Sequence, residues 1–161
     1  MDIDKIKKDK ERDQKKIKSI DNTTAKEKEQ GEINRIIDCE ISGKPIEVDH
    51  TICNGKIFFT LREITSKMAL RCEGLIFREP VIGTIPSITN QISVAAYLAK
   101  YNDKDFVASQ GNKFEQEEGL KERIEFVSKM KFNIRNIILE KKGEFQELLK
   151  KAFSSDNLKN L

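Results

Sequence analysis

Between Ile36 and Leu61 apolar and polar residues alternate, and the alternation is broken by two turn signals. Period-two alternation marks a half-buried strand. Asn54-Gly55 is the stronger turn signal, because a type I′ hairpin needs two residues that accept positive φ. A turn centred there sets Ile52 opposite Ile57, His50 opposite Phe59 and Val48 opposite Leu61, all on one face. Ser42-Gly43-Lys44-Pro45 reads as a second turn, which sets Ile41 opposite Ile46, Cys39 opposite Val48 and Ile37 opposite His50. Both turns select the same face, so register is specified. The expectation is a three-stranded antiparallel meander over residues 36–62 whose buried face holds Ile37, Cys39, Ile41, Val48, His50, Ile52, Ile57, Phe59 and Leu61.

Beyond the meander the period lengthens to that of a helix. Met68, Cys72, Leu75 and Ile76 share one face of a helix over about residues 66–77. Pro80, Gly83 and Pro86 mark a loop, and Ser87 is a good N-cap for a helix over residues 87–101. The face of that helix is Ile88, Ile92, Ala95, Ala96 and Ala99. A polar connection leads to a long helix over residues 115–142, striped by Leu120, Ile124, Val127, Ile134 and Ile138. Gly143 interrupts, and Phe145, Leu148, Leu149 and Phe153 define a short last helix over residues 144–153, followed by a polar tail over residues 154–161.

The first 32 residues are mostly Lys, Asp, Glu and Gln. Ile3, Ile6, Ile17 and Ile20 have a/d spacing, but Lys10 and Asp13 occupy the seam between them, and a coiled coil needs that seam sustained. Residues 1–32 are therefore expected to be a charged, partly helical or disordered extension, with residues 22–32 as a linker. The expected fold class is α+β: the small meander, then a helical bundle, together forming one domain over residues 33–153.

Composition narrows the function classes. The chain has 161 residues, enough for one core and little more. Charged residues make up 35%, yet the net charge is only +3 and both signs are interleaved. A nucleic-acid binder would show a one-sided basic stripe with stacking aromatics, and this chain has no Trp. No apolar run reaches membrane-spanning length, and the start is charged, unlike a signal peptide. Three cysteines without CxxC spacing suit a reducing cytoplasm.

Candidate chemistry is sparse. Cys39, His50, Cys53 and Cys72 have the count of a zinc site, but on a strand His50 and Cys53 point to opposite faces. Cys39 and Cys72 sit in apolar stripes, where free cysteine is commonly found. His50 follows Asp49, but the alternation turns His50 toward the core and Asp49 away. Asp103-Lys104-Asp105 opens like a calcium loop, then places Val107, Ala108 and Phe114 where a ligand, a glycine and a glutamate are required. Neither a dinucleotide fingerprint nor a phosphate loop is present. No catalytic, metal or cofactor-binding residue is expected. The candidates for partner contact are Arg123, Arg135, Phe145 and Leu149.

The segment from Ile46 to Phe77 carries a short strand, the Asn-Gly turn, the run KIFFTLREITS and the amphipathic stretch KMALRCEGLIF. It resembles the opening of tail assembly chaperones of long-tailed phages and prophages, where a glycine followed by alternating apolar positions falls here on Gly55, Ile57 and Phe59, followed by Leu61 to Thr65. The C-terminal run from Leu120 to Phe153 is similar to the last helices of that family. The resemblance implies a small sheet followed by a helical bundle and a non-enzymatic role in the host cytoplasm. It further implies binding to the tape-measure protein and recruitment of tail-tube subunits; self-association into a homo-oligomer is a separate expectation. The alternative is a small nucleic-acid-associated regulatory module using the basic residues of the extension and the long helix.

Overall fold

The computed structural model describes residues 24–78, 85–154 and 157. The a/d residues of the N-terminal extension, the loop signals Pro80 and Gly83 and most of the polar tail lie outside the described residues.

The described chain mixes helix and sheet. It opens with a helix over residues 24–41 (α1), where a linker and a first strand are expected from the pattern. The buried residues explain the difference. Ile33, Ile36 and Ile37 are all at or below 7% exposure and fall at i, i+3 and i+4, the spacing of one helical face. Ile41, placed on the buried sheet face by the alternation, is instead 68% exposed, and Cys39 is half-buried. The turn signal at Ser42-Gly43 is real but serves a helix end. Lys44 N–H donates to Cys39 C=O at 2.9 Å and Gly43 N–H to Glu40 C=O at 3.1 Å, the paired bonds of a Schellman cap. Gly43 supplies the left-handed φ of +65° that this cap requires.

The hairpin follows the sequence register. β1 (Glu47–Ile52) and β2 (Ile57–Arg62) pair antiparallel with Ile52 opposite Ile57, His50 opposite Phe59 and Val48 opposite Leu61. Asn54 and Gly55 take positive φ, as the turn demands, and Cys53 does too. The sheet has four strands, not three, in the order β1-β2-β3-β4. α2 (Ser66–Arg78) comes next, its first turn capped by Thr65, whose Oγ1 accepts from Met68 N–H at 3.3 Å.

α3 (Ile85–Tyr97) begins two residues before Ser87, which lies within the helix and is not its N-cap, and it ends earlier than the periodicity implies, the chain passing directly into β3 (Leu98–Tyr101). Val94 through Ala99 are all buried, so no polar break marks the change from helix to strand. A continuous apolar run does not distinguish the two by period. β3 pairs with β2 and with the two-residue β4 (Lys104–Asp105) through a turn at Asn102, whose side chain and backbone both bond Phe58.

Asp105 then caps α4 (Phe106–Gln110), accepting from Ala108 N–H at 2.9 Å. A single 3₁₀ turn over Gly111–Lys113 leads to α5 (Glu117–Ser128) and α6 (Phe132–Ala152). The single helix expected over residues 115–142 is thus two, broken at residues 129–131, where Lys131 adopts extended backbone. α6 continues through Gly143 without interruption. α3 packs against α2, α5 and α6 and is the hub of the helical layer, with Ala95 and Ala96 at or below 1% exposure permitting close approach.

Phe59 is fully buried and Phe58 is 36% exposed, which fixes the face of β2. Phe59→Ala should therefore cost about 3–5 kcal/mol and Phe58→Ala about 1 kcal/mol or less, read from urea unfolding followed by circular dichroism. Equal losses at the two positions would contradict this packing.

Candidate functional site

The four candidate partner-contact residues occupy different environments. Arg123, on α5, has 0% exposure and does not reach the surface. Its Nε donates to Ala95 C=O at 2.8 Å, and its Nη1 donates to Gln110 Oε1 at 2.6 Å and to Phe114 C=O at 2.9 Å. Its guanidinium lies 4.0 Å from the centroid of the Phe114 ring. Gln110 passes the contact on, donating to Gly119 C=O and to Glu122 Oε2, both at 3.1 Å. Burial pushes the Arg123 pKa down to about 10, opposed by Cys72, Glu122 and Glu115, so the group remains a cation at neutral pH. Arg123 is a structural clamp in place of the surface contact expected from the sequence.

Arg135 is 9% exposed, with its guanidinium 5.5 Å from the Phe132 ring. Leu149 is half-buried against the core. Phe145 is 2% exposed and meets Tyr97 edge-on at 6.4 Å. Phe145 lines a groove of about 480 Å³ between α1, β1 and α6. The floor is Val48, His50, Phe145 and Leu148, and the rim is Glu29, Glu144, Glu147 and Lys151. The helical period explains the set, since residues 144, 148 and 151 fall at i, i+4 and i+7 of α6. Rim charges are internally paired: Lys151 with Glu29 across from α6 to α1, Lys141 with Glu144 at 2.8 Å, and Lys150 with Glu147 at 2.5 Å. These pairs are exposed and worth little individually, so a partner could exchange them at small cost.

His50 is the polar member of the floor. Its ring stacks on Phe59 at 5.1 Å, and its Nε2 is buried without a hydrogen-bond partner. Burial, then the nearby Lys141, lowers its pKa below 6.5, while Glu144 and Asp49 act in the opposite direction. Asp49 itself accepts from Thr60 Oγ1 at 2.6 Å and does not contact the imidazole as an orienting carboxylate. Among the described residues no three of His, Cys, Asp and Glu come together as a metal site, and Cys39, Cys53 and Cys72 are free. No helix among the described residues is long and apolar enough to cross a membrane.

The groove was invisible to periodicity because its first wall, α1 at Glu29, reads as linker, and its second is the late half of α6. The signal for Arg123 was present: Leu120, Ile124 and Val127 enclose it in an apolar stripe, which a solvated arginine would not share. Compared with protein-family models, curated proteins and solved structures, the chain matches none.

Arg123→Met preserves bulk but strands three buried acceptors, so it should cost about 3 kcal/mol or more, against about 0.5 kcal/mol for Lys129→Met on the surface. Urea midpoints of the two variants make the comparison, and similar small losses would contradict the clamp. A second expectation concerns pH. The unfolded chain protonates His50 near the ordinary value of 6.5, whereas the folded chain resists protonation until lower pH. Stability contributed by neutral His50 is therefore full above that value and is lost as pH falls through it toward the folded pKa. Unfolding midpoints at about pH 7.5 and about pH 5.5 should differ less in His50→Gln than in the parent, and an unchanged difference would exclude His50 as the cause.

Proposed function

We propose that this chain is a non-enzymatic assembly chaperone of the kind that serves long-tailed phage and prophage tails. It takes a helical stretch of the tape-measure protein in the groove between α1, β1 and α6 and helps to recruit tail-tube subunits. The observation that carries this reading is the groove itself: an apolar floor of Val48, Phe145 and Leu148 under a rim of exchangeable ion pairs. Such a surface suits the apolar stripe of an amphipathic helix with charges of both signs along its flanks. The sequence resemblance supports the reading through the strand–turn–strand–helix order from Ile46 to Phe77, and the fold has that order. The chemistry fits as well, since His50, the one titratable group on the groove floor, is held neutral by burial and stacked on an aromatic ring.

The test is co-expression with the tape-measure protein encoded in the same genome. The tape-measure protein should be aggregated alone, soluble with this chain, and co-elute with it on size exclusion. Leu148→Lys should abolish co-elution while the variant keeps its circular dichroism spectrum. Co-elution unaffected by Leu148→Lys would remove the groove from the account. Submicromolar, sequence-selective nucleic-acid binding at physiological salt would favour the regulatory module instead.

A further inference from the structure

A second cavity, of about 280 Å³, lies on the other side of α6, between α2, α3 and α6. Its walls are chiefly aliphatic: Ile64, Ala69, Ile76, Ile92 and Ala96. One cation enters it. Lys142 is half-buried, and among the described residues it is the one lysine that is both sheltered from solvent and without a carboxylate partner. Its Nζ donates to Ser93 Oγ at 2.7 Å and sits 5.3 Å from the centroid of the Tyr97 ring. Neither neighbour carries an opposing charge. An ammonium taken from water into an aliphatic wall without a counter-ion is an unfavourable arrangement that an anionic ligand would relieve.

The geometry points to a binding site for a small aliphatic carboxylate, with the carboxylate held by Lys142 and Ser93 and the hydrocarbon against the wall of α2 and α3. Donors are available for both oxygens. Lys142 uses one of its three ammonium protons on Ser93, and Ser93, accepting that bond, has its own hydroxyl proton free to donate. Thr89 adds a further hydroxyl one turn earlier on α3. Gln146 and Tyr97 close the polar side with a bond of 3.0 Å to each other. A single cation without an arginine fork suits a monoanion better than a phosphate, which favours bidentate donors. The volume is at the small end for ligand pockets, matching a short chain. Burial already lowers the Lys142 pKa, and a bound carboxylate would raise it again.

The same carboxylate chemistry could come from a free aliphatic acid or from the C-terminus of a polypeptide. Calorimetric titration of the full chain should compare octanoate, its neutral isostere octanamide, and N-acetyl-leucyl-leucine with a free carboxylate. At least one carboxylate should bind about tenfold tighter than octanamide, the worth of a charge-assisted bond. The tighter of octanoate and the dipeptide identifies the source. Lys142→Met should abolish the preference over octanamide and leave octanamide binding in place. A second readout requires no variant: in lysine-labelled protein, the bound carboxylate should raise the Lys142 pKa and leave Lys129 unmoved. Octanamide binding as tightly as both carboxylates, or a Lys142 pKa unmoved by saturating octanoate and dipeptide, would overturn the site.

Discussion

The helical layer is organised around one buried cation. Arg123 joins three segments far apart in the chain: the α3 backbone at Ala95, the end of α4 at Gln110, and the bend at Phe114 that follows the 3₁₀ turn. A guanidinium in a dry interior is costly, and the cost falls as its donors are occupied and its charge is answered nearby. Here Nε and Nη1 donate to carbonyls, Nη2 is buried without a hydrogen-bond partner, the Phe114 ring lies against the guanidinium, and Glu122 answers through Gln110. The clamp also constrains its neighbours. A Cβ at Gly119 would lie 2.1 Å from the Lys113 carbonyl oxygen and 3.0 Å from Gln110 Oε1, so the approach of α5 to this bend depends on a residue without a side chain.

With α5 held against α3, the small residues of α3 let α2 and α6 lie close on its remaining sides. α6 then presents two different faces. Residues 144, 145, 148 and 151 turn toward α1 and β1 and form the long groove, while residues 142 and 146 turn toward α2 and α3 and enter the smaller cavity. One helix thus serves two environments, one with exchangeable ion pairs at its rim and one with a solitary lysine at its wall. The division follows from helical geometry alone, since residues 142 and 146 are one turn apart and lie off the 144–148–151 row.

The hairpin was legible because its signals are local: Asn54-Gly55 accepts the turn, and a one-residue slip would have exposed Phe59. α2 was legible for the same reason, with a clean stripe of Met68, Cys72, Leu75 and Ile76. α1 was not, because Ile37, Cys39 and Ile41 mimic a strand while Ile33, Ile36 and Ile37 mark the helix, and Gly43 suits a hairpin turn and a helix cap equally. Thirteen of the eighteen residues of α1 are exposed, so only a narrow apolar stripe carried the signal. β3 was hidden by the unbroken burial of Val94 to Ala99. Of the four candidate contact residues, Phe145 lies on the groove floor. Arg123 was misplaced because charge on a helix is usually solvated, and nothing local announces a carbonyl from α3 waiting for it.

Hydrogen exchange of the full chain, alone and with the proposed partner, the tape-measure protein, tests the proposed docking surface most directly. Added protection should appear in β1 at residues 47–52 and in α6 at residues 144–151, with α5 around Arg123 unchanged because its amides already lie in the clamped core. Protection concentrated in α5, with β1 and the end of α6 exchanging as in the free chain, would contradict the assignment of the groove as the place where the partner binds.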